Sequence, residues 1–373
     1  MQLSYLGFKA HMFKLKYQLN RILKICKTRL KSKPELQSLI FPKLFSTCYV
    51  IAVCTTLSAI PGFSQTVPSA QVIKDFPSHP IKLVVPYVSG GPMDVIGRLI
   101  GQKLQTQLGY GFVLENKGGA GGAIGTDLVA KSAPDGYTVL LTSSSHASLP
   151  IIYKNLTYDP INDFTPLTLA INSVGFIIAA RPDLPAKDLA DFIADAKANP
   201  NKYTYGSGGI GNVMHFAAES FSSSANVKLV HVPFKGVGQA LTELMAGRID
   251  IFIGAANAIL PYIKSGKVRA LGITANKRWS ELPDLQTADE QGLKGFVYAP
   301  WYGFWYPAHT PIGYVNKMNS AILKVLEDRG VKQALFDQGF LTVGTSSTEF
   351  SKVILSEIAK NEKLATVIDF SEK

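Results

Sequence analysis

Short apolar, β-branched runs alternate with helical patterns along most of the chain, and this alternation predicts its elements. Ile81–Pro86 reads as a strand, and Pro92–Leu108 as a helix with Val95, Ile96, Leu99, Ile100 and Leu104 on its apolar face. Gly111–Glu115 (strand), Ile124–Ser132 (helix) and Tyr137–Thr142 (strand) follow. A second series opens at Phe176–Ala180. Its helices are predicted at 186–198, 213–223, 237–246 and 258–265, and its strands at 203–205, 227–233, 249–253 and 269–274. A short strand near Tyr302–Trp305 and helices at 311–328 and 348–366 close the chain. Strands of this length alternating with helices mean βαβ units and mainly parallel sheets. The expected architecture is α/β with two lobes joined by two crossings. Residues 76–175 and 299–373 build the first lobe, and 176–298 the second. Open α/β sheets bind ligands at the carboxyl ends of their strands, so two facing lobes enclose a cleft that closes by hinge motion.

Composition narrows the class. The 373 residues are 46% hydrophobic and 17% charged, which excludes a disordered chain and leaves ample material for a core. The net charge of +11 suggests a nucleic-acid partner, but its distribution does not. Residues 1–43 hold ten Lys/Arg against the single acid Glu35, so they carry +9 and the rest only +2. A nearly neutral body offers no phosphate-tracking surface.

That basic segment is followed by the apolar run Leu44–Ile60 and then Pro61-Gly62-Phe63-Ser64-Gln65, the order of a secretory signal. Residues 1–64 are therefore expected to be a signal peptide with a long basic n-region, cleaved before Gln65; Pro68-Ser69-Ala70 offers a second site. An uncleaved anchor is the alternative, and either places the body outside the cytoplasm. All three cysteines, Cys26, Cys48 and Cys54, lie in this segment, and a cysteine-free body suits an oxidising compartment.

Four strand-end loops are the candidate chemistry. The first, Val85–Asp94, runs into a helix through Gly90-Gly91-Pro92, and its free N–H groups suit an anion. Tyr87, Ser89, Gly90, Gly91, Met93 and Asp94 are its candidate contacts; Asp94 either complements the helix dipole or orients groups around a ligand. Ser143 and Ser144 follow a third strand and could donate to a carboxylate. Gly206-Ser207-Gly208-Gly209-Ile210-Gly211 has the dinucleotide spacing, but strand Val227–Pro233 lacks the ribose-binding acid. Anion binding by that loop, with Ser207 or Asn212 donating beside Gly208, Gly211 and Val213, is the better reading. Lys235 is either a cleft counter-cation or a solvated lysine. Gly118–Gly125 lacks the Lys-Ser/Thr of a P-loop and reads first as tight helix–sheet packing. Trp301, Tyr302 and Trp305 either line the cleft or pack the core. The histidines have no metal-ligand spacing and no G-x-S-x-G elbow is present, so a binding cleft without metal or cofactor fits better than a reaction centre.

Together these residues resemble the tripartite tricarboxylate transporter receptors, also called Bug solute-binding proteins. The similarity covers about Phe76 to the C-terminus. It rests on Pro80–Asp94, Glu115–Gly122, Ala133–Thr138, Tyr158-Asp159-Pro160 with Asp163-Phe164, His231–Gly236, Gly266–Leu271 and Trp301–Pro311. It implies a monomeric, non-catalytic periplasmic receptor of the two-lobed type II "Venus flytrap" form. Such a receptor delivers a small carboxylate to a membrane permease; serving a membrane sensor kinase is the second reading, and an extracytoplasmic enzyme the third. It also implies that the Pro86–Asp94 loop and the loop before Val213 grip the ligand, with Asp94 organising bridging waters. Two departures stand out. Asn212 replaces the usual Thr/Ser of Gly-Thr/Ser-x-x-His, and Gly254-Ala255-Ala256-Asn257 lacks an acid many relatives carry. Both point to a less polar acid than a standard dicarboxylate. N-terminal sequencing of the exported protein should begin at Gln65; a membrane-bound chain beginning at Met1 or Met12 would identify an anchor instead.

Overall fold

A computed structural model describes residues 75–153 and 155–365, so the predicted signal segment lies outside the described residues. Among the described residues, eleven strands form two sheets. The first contains β1 (Ile81–Val85), β2 (Phe112–Asn116), β3 (Thr138–Ser143), β4 (Phe164–Ser173), β10 (Trp301–Pro307) and β11 (Phe340–Thr342), in the order β11-β4-β10-β3-β1-β2. The second contains β5 (Phe176–Ala180), β6 (Thr204–Ser207), β7 (Val230–Pro233), β8 (Ile251–Ala255) and β9 (Arg269–Ile273), in the order β7-β6-β8-β5-β9.

The expected parallel pairing is present in β2-β1-β3 and β7-β6-β8. The pairings through β10, β4, β11 and β5 are antiparallel, so the sheets are mixed rather than mainly parallel. The reason is the crossing chain. β4 runs straight into β5 through Val174-Gly175, and the chain returns at 298–301 to enter the first sheet reversed. At the crossing Ser173 N–H donates to Pro300 O at 2.9 Å, which ties the outgoing and returning segments together.

Helices follow the parallel strands: α1 (Pro92–Leu108) after β1, α2 (Ala123–Ala130) after β2, α5 (Val213–Ala225) after β6 and α6 (Val237–Met245) after β7. The others are α3 (Leu149–Ile152), α4 (Leu189–Ala198), α7 (Ala256–Lys264), α8 (Ile312–Glu327), α9 (Arg329–Phe336) and α10 (Ser347–Leu364). α1 is amphipathic as predicted, with Met93, Ile96, Ile100 and Leu104 buried against the first sheet. β5 is buried at every position, which explains its uninterrupted Phe-Ile-Ile-Ala-Ala. Strands β4 and β11 and helices α3 and α9 were not predicted. Pro166 breaks the β4 pattern, and α9 is separated from α8 by Asp328, whose side chain accepts from Val331 N–H as a new N-cap.

On the outer face of the first sheet Trp301, Trp305 and Phe350 pack together, the Trp305–Phe350 centroids 4.7 Å apart. Gly303 sits between the two tryptophans because an added Cβ there would collide with the Phe350 ring. α10 is anchored here, opened by a capping box between Ser346 and Glu349. Trp305 is completely buried, so Trp305→Ala should lower the unfolding free energy by about 3–5 kcal/mol in urea titrations; a loss below about 1 kcal/mol would mean the cluster does not hold the helix.

Candidate functional site

The carboxyl ends of the parallel strands in both sheets open on one cavity of about 530 Å³. Four helices begin at its wall. Their N-cap residues Gly91 (α1), Gly122 (α2), Asn212 (α5) and Gly236 (α6) all line it, two from each sheet. Each helix start carries N–H groups without intrahelical partners and about half a positive charge from the aligned peptide dipoles. The three glycine caps supply no side-chain acceptor to those N–H groups. Among the described residues the wall contains no Asp or Glu, and Lys235 is the one charged residue that lines it. Such a wall favours an anion.

Glycine is required where the loops meet. Gly121 has φ +61°, and a Cβ on it would lie 2.5 Å from Ile210 O. A Cβ on Gly236 would lie 2.6 Å from Val88 Cγ2. Tyr153 adds a hydrogen bond across the same gap, its hydroxyl donating to Ile210 O at 3.1 Å. Loops from the two sheets therefore touch around the cavity.

The first sheet supplies a group of hydroxyls. Tyr87 Oη lies 3.1 Å from Ser143 Oγ and also bonds Ser145 Oγ. Tyr302, at the sheet's surface beside them, is buried, and burial pushes its phenol pKa up so it stays neutral. The loop carrying Tyr87 is held from behind. Asp94 Oδ2 accepts from Gly90 N–H at 3.1 Å and from Arg98 Nε at 3.0 Å, and Asn116 Nδ2 donates to Tyr87 O at 3.1 Å. Burial alone would raise the Asp94 pKa, but Arg98, Gly90 and Asn116 outweigh it and hold the carboxyl below its ordinary range. Asp94 Oδ1 is buried without a hydrogen-bond partner among the described residues.

Behind the second sheet's loop lies a stack of Tyr205, His231 and His215. The two imidazoles are 4.1 Å apart at 9°, and Tyr205 lies 4.8 Å from His231. Both ends of the loop are tied to this stack. Ser207 Oγ lies 2.7 Å from His231 Nε2, and Gly211 N–H donates to His215 Nδ1 at 3.3 Å. Accepting that bond requires a neutral His215 with its proton on Nε2. Burial supplies the neutrality, pushing His215 down to about 3, with repulsion from His231 adding to the shift, and His231 down to about 4.

Residues 96–370 match the family model described as the tripartite tricarboxylate transporter family receptor. The chain belongs to this receptor family. A curated relative from Agrobacterium vitis, the UPF0065 protein in the TAR-I ttuE-ttuC' intergenic region, is 35% identical over 87% of this chain and 91% of its own length. Among solved structures, one described as a periplasmic transporter is 37% identical with a TM-score of 0.76, covering 79% of this chain and 99% of that one. A protein of R. palustris solved with adipate is 33% identical with a TM-score of 0.75, covering 78% of this chain and 98% of that one.

In this receptor the candidates from the sequence fall into two groups. Tyr87, Ser89, Gly91, Met93, Ser143, Gly208, Asn212, Val213 and Lys235 line the cavity. Gly90, Asp94, Ser144, Ser207 and Gly211 stand outside that lining. Gly90 and Asp94 brace each other, Ser207 and Gly211 are tied to the histidine stack, and Ser144 is buried in the 3-10 turn after β3. Trp301 and Trp305 belong to the core, while Tyr302 reaches the cavity. The sequence reading did not single out Tyr153, Phe234, Val237 or Gly238 as ligand contacts, and it favoured packing for the Gly118–Gly122 turn. All of them line the receptor's cavity. The glycine run itself was the available signal: Gly119, Gly121 and Gly122 all have positive φ, a backbone glycine adopts without strain.

His146, buried against Phe164 and hydrogen-bonded to Pro160 O, is likewise pushed down by burial to about 4. These three histidines take up protons near pH 6.5 in the unfolded chain but not in the folded receptor. Their contribution is complete above pH 6.5 and is lost as pH falls toward 3. Urea unfolding should therefore show stability declining steadily from pH 7 to pH 5; a flat profile over that interval would mean the imidazoles are solvated.

Proposed function

We propose that this receptor captures one small organic carboxylate outside the cytoplasm and delivers it to the membrane permease of a tripartite tricarboxylate-type transporter, without turning it over. The observation that carries the reading is the cavity wall: among the described residues it holds four helix N-termini, one lysine and no acid. A carboxylate is the small anion that suits it, because the wall offers a few directional N–H groups beside the apolar surfaces of Val88, Met93, Phe234 and Val237. The adipate-bound relative takes the same class of ligand.

In the proposed arrangement residues 76–175 and 299–373 form one lobe and 176–298 the other. The membership of the two sheets supports this division. The ligand's carboxylate meets the α1 start, with Ser89, Gly91 and Met93 around it, and Asp94 Oδ1 is left to hold a bridging water behind the loop. Gly208, Asn212, Val213 and Lys235 close from the other lobe. Closure is driven by the ligand's greater affinity for the state in which both sets of N–H groups reach it. The basic and apolar segment at residues 1–64 supplies the export signal and a periplasmic address.

The test is a thermal-shift screen of purified protein, unfolded and refolded to strip any bound acid, against aliphatic and aromatic carboxylates. A true ligand at 100 times its Kd should add about 2.7 kcal/mol of stability and be recovered chemically unchanged. No shift with any acid would overturn the receptor reading, and conversion of the acid would make the protein an enzyme.

A further inference from the structure

Tyr153 stands where loops from the two sheets meet. It caps the C-terminus of α3, on the first-sheet side of the chain, and its hydroxyl donates at 3.1 Å to the carbonyl oxygen of Ile210, on the second-sheet side. Ile210 precedes the cap of α5, so its carbonyl lies outside the helix ladder. That oxygen is a fixed target, because both ends of the Ser207–Gly211 loop are tied to His231 and His215. The rest of α3 is fitted to the same place. A Cβ on Gly211 would lie 3.2 Å from Tyr153 Cε2, 3.3 Å from Leu149 Cδ2 and 3.4 Å from Ile152 Cδ1. Ile151 and Ile152 pack on the buried Phe216 of α5. The Tyr153 ring lines the ligand cavity and also a second pocket of about 250 Å³, shared with Ile124, Leu156 and Tyr158. A ring that borders open space twice is held less by packing than a core side chain, so its hydroxyl bond counts for more in fixing it.

We infer that Tyr153 is a positioning residue of the receptor: its hydroxyl latches the arrangement in which both sides touch around a captured carboxylate, and so sets how long that carboxylate is held without selecting which one. The inference goes beyond the carboxylate reading and rests on it. For the two sides to part, the bond from Tyr153 to Ile210 must break. For an acid to enter the parted form, the bond need not exist. Its removal therefore speeds release and leaves capture unchanged. Because the bond runs from protein to protein, its loss costs the same factor whichever acid is inside. A hydroxyl that read the ligand directly would instead matter according to the oxygens of each acid.

Tyr153→Phe keeps the ring in both walls and deletes only the hydroxyl. Association and release rates are measured by stopped-flow fluorescence with adipate and with benzoate, or with two acids from the thermal-shift screen if the unaltered protein takes neither. The unliganded thermal midpoint is measured alongside. The expected result is release about three- to tenfold faster, the worth of one net hydrogen bond between uncharged groups. The association rate and the midpoint should be unchanged, and the factor should be the same for both acids. Tyr153→Leu also lacks the hydroxyl and should release at least as fast; it decides if Tyr153→Phe does not fold. Release no faster than in the unaltered protein overturns the inference. So does a slower association that accounts for the whole loss of affinity, or a factor confined to one acid. An unaltered protein that binds neither these acids nor any other carboxylate overturns the carboxylate reading, and the inference with it.

Discussion

Helix starts cannot satisfy their own first N–H groups, and in this fold four of those starts are aimed at one space. A parallel strand must be followed by a crossover, and here the crossovers are helices that begin where the strands end. The β1, β2, β6 and β7 ends thus place α1, α2, α5 and α6 around the cavity. Only α1 carries an acid in its first turn, Asp94 behind the loop; the first turns of α2, α5 and α6 hold none, so those positive ends meet no carboxylate of their own helix. Everything else at the site either holds these ends in place or shapes the apolar space between them.

The holding is done from behind. Asp94 ties Gly90 to Arg98, and Asn116 fixes the backbone at Tyr87. On the other side the stacked imidazoles of His215 and His231 grip both ends of the Ser207–Gly211 loop. Polar residues that a list of hydrogen-bond donors would assign to the ligand are therefore spent on the loops. The same principle explains the positive-φ glycines: a side chain at Gly121 would push Ile210 away and prise the cavity open.

Most of the helices and the two-sheet plan were legible because long amphipathic periods and short β-branched runs report local geometry. Pro92–Leu108 and Phe176–Ala180 match their predicted bounds. What escaped depends on distant partners. β4 carries Pro166 and is a strand because β10 pairs along it, and β11 is three residues long. At the site, glycine-rich strand ends were visible, and the loops carrying Tyr87, Asn212 and Lys235 do meet at the cavity. The side-chain roles were less visible. Ser207 and Asn212 look alike as donors in the sequence, and only the position of His231 tells them apart. Tyr153 has no motif around it and reaches the cavity because α3 leans across to Ile210.

A wall whose positive charge comes from the main chain has an evolutionary consequence. Helix dipoles and peptide N–H groups are encoded by the fold and not by any one codon. Point mutations can widen the space at Val88, Met93 or Phe234, and the preference for an anion survives each of them. Duplicated copies of such a gene can therefore diverge through the whole range of small organic acids without passing through a form that has lost its charge selectivity.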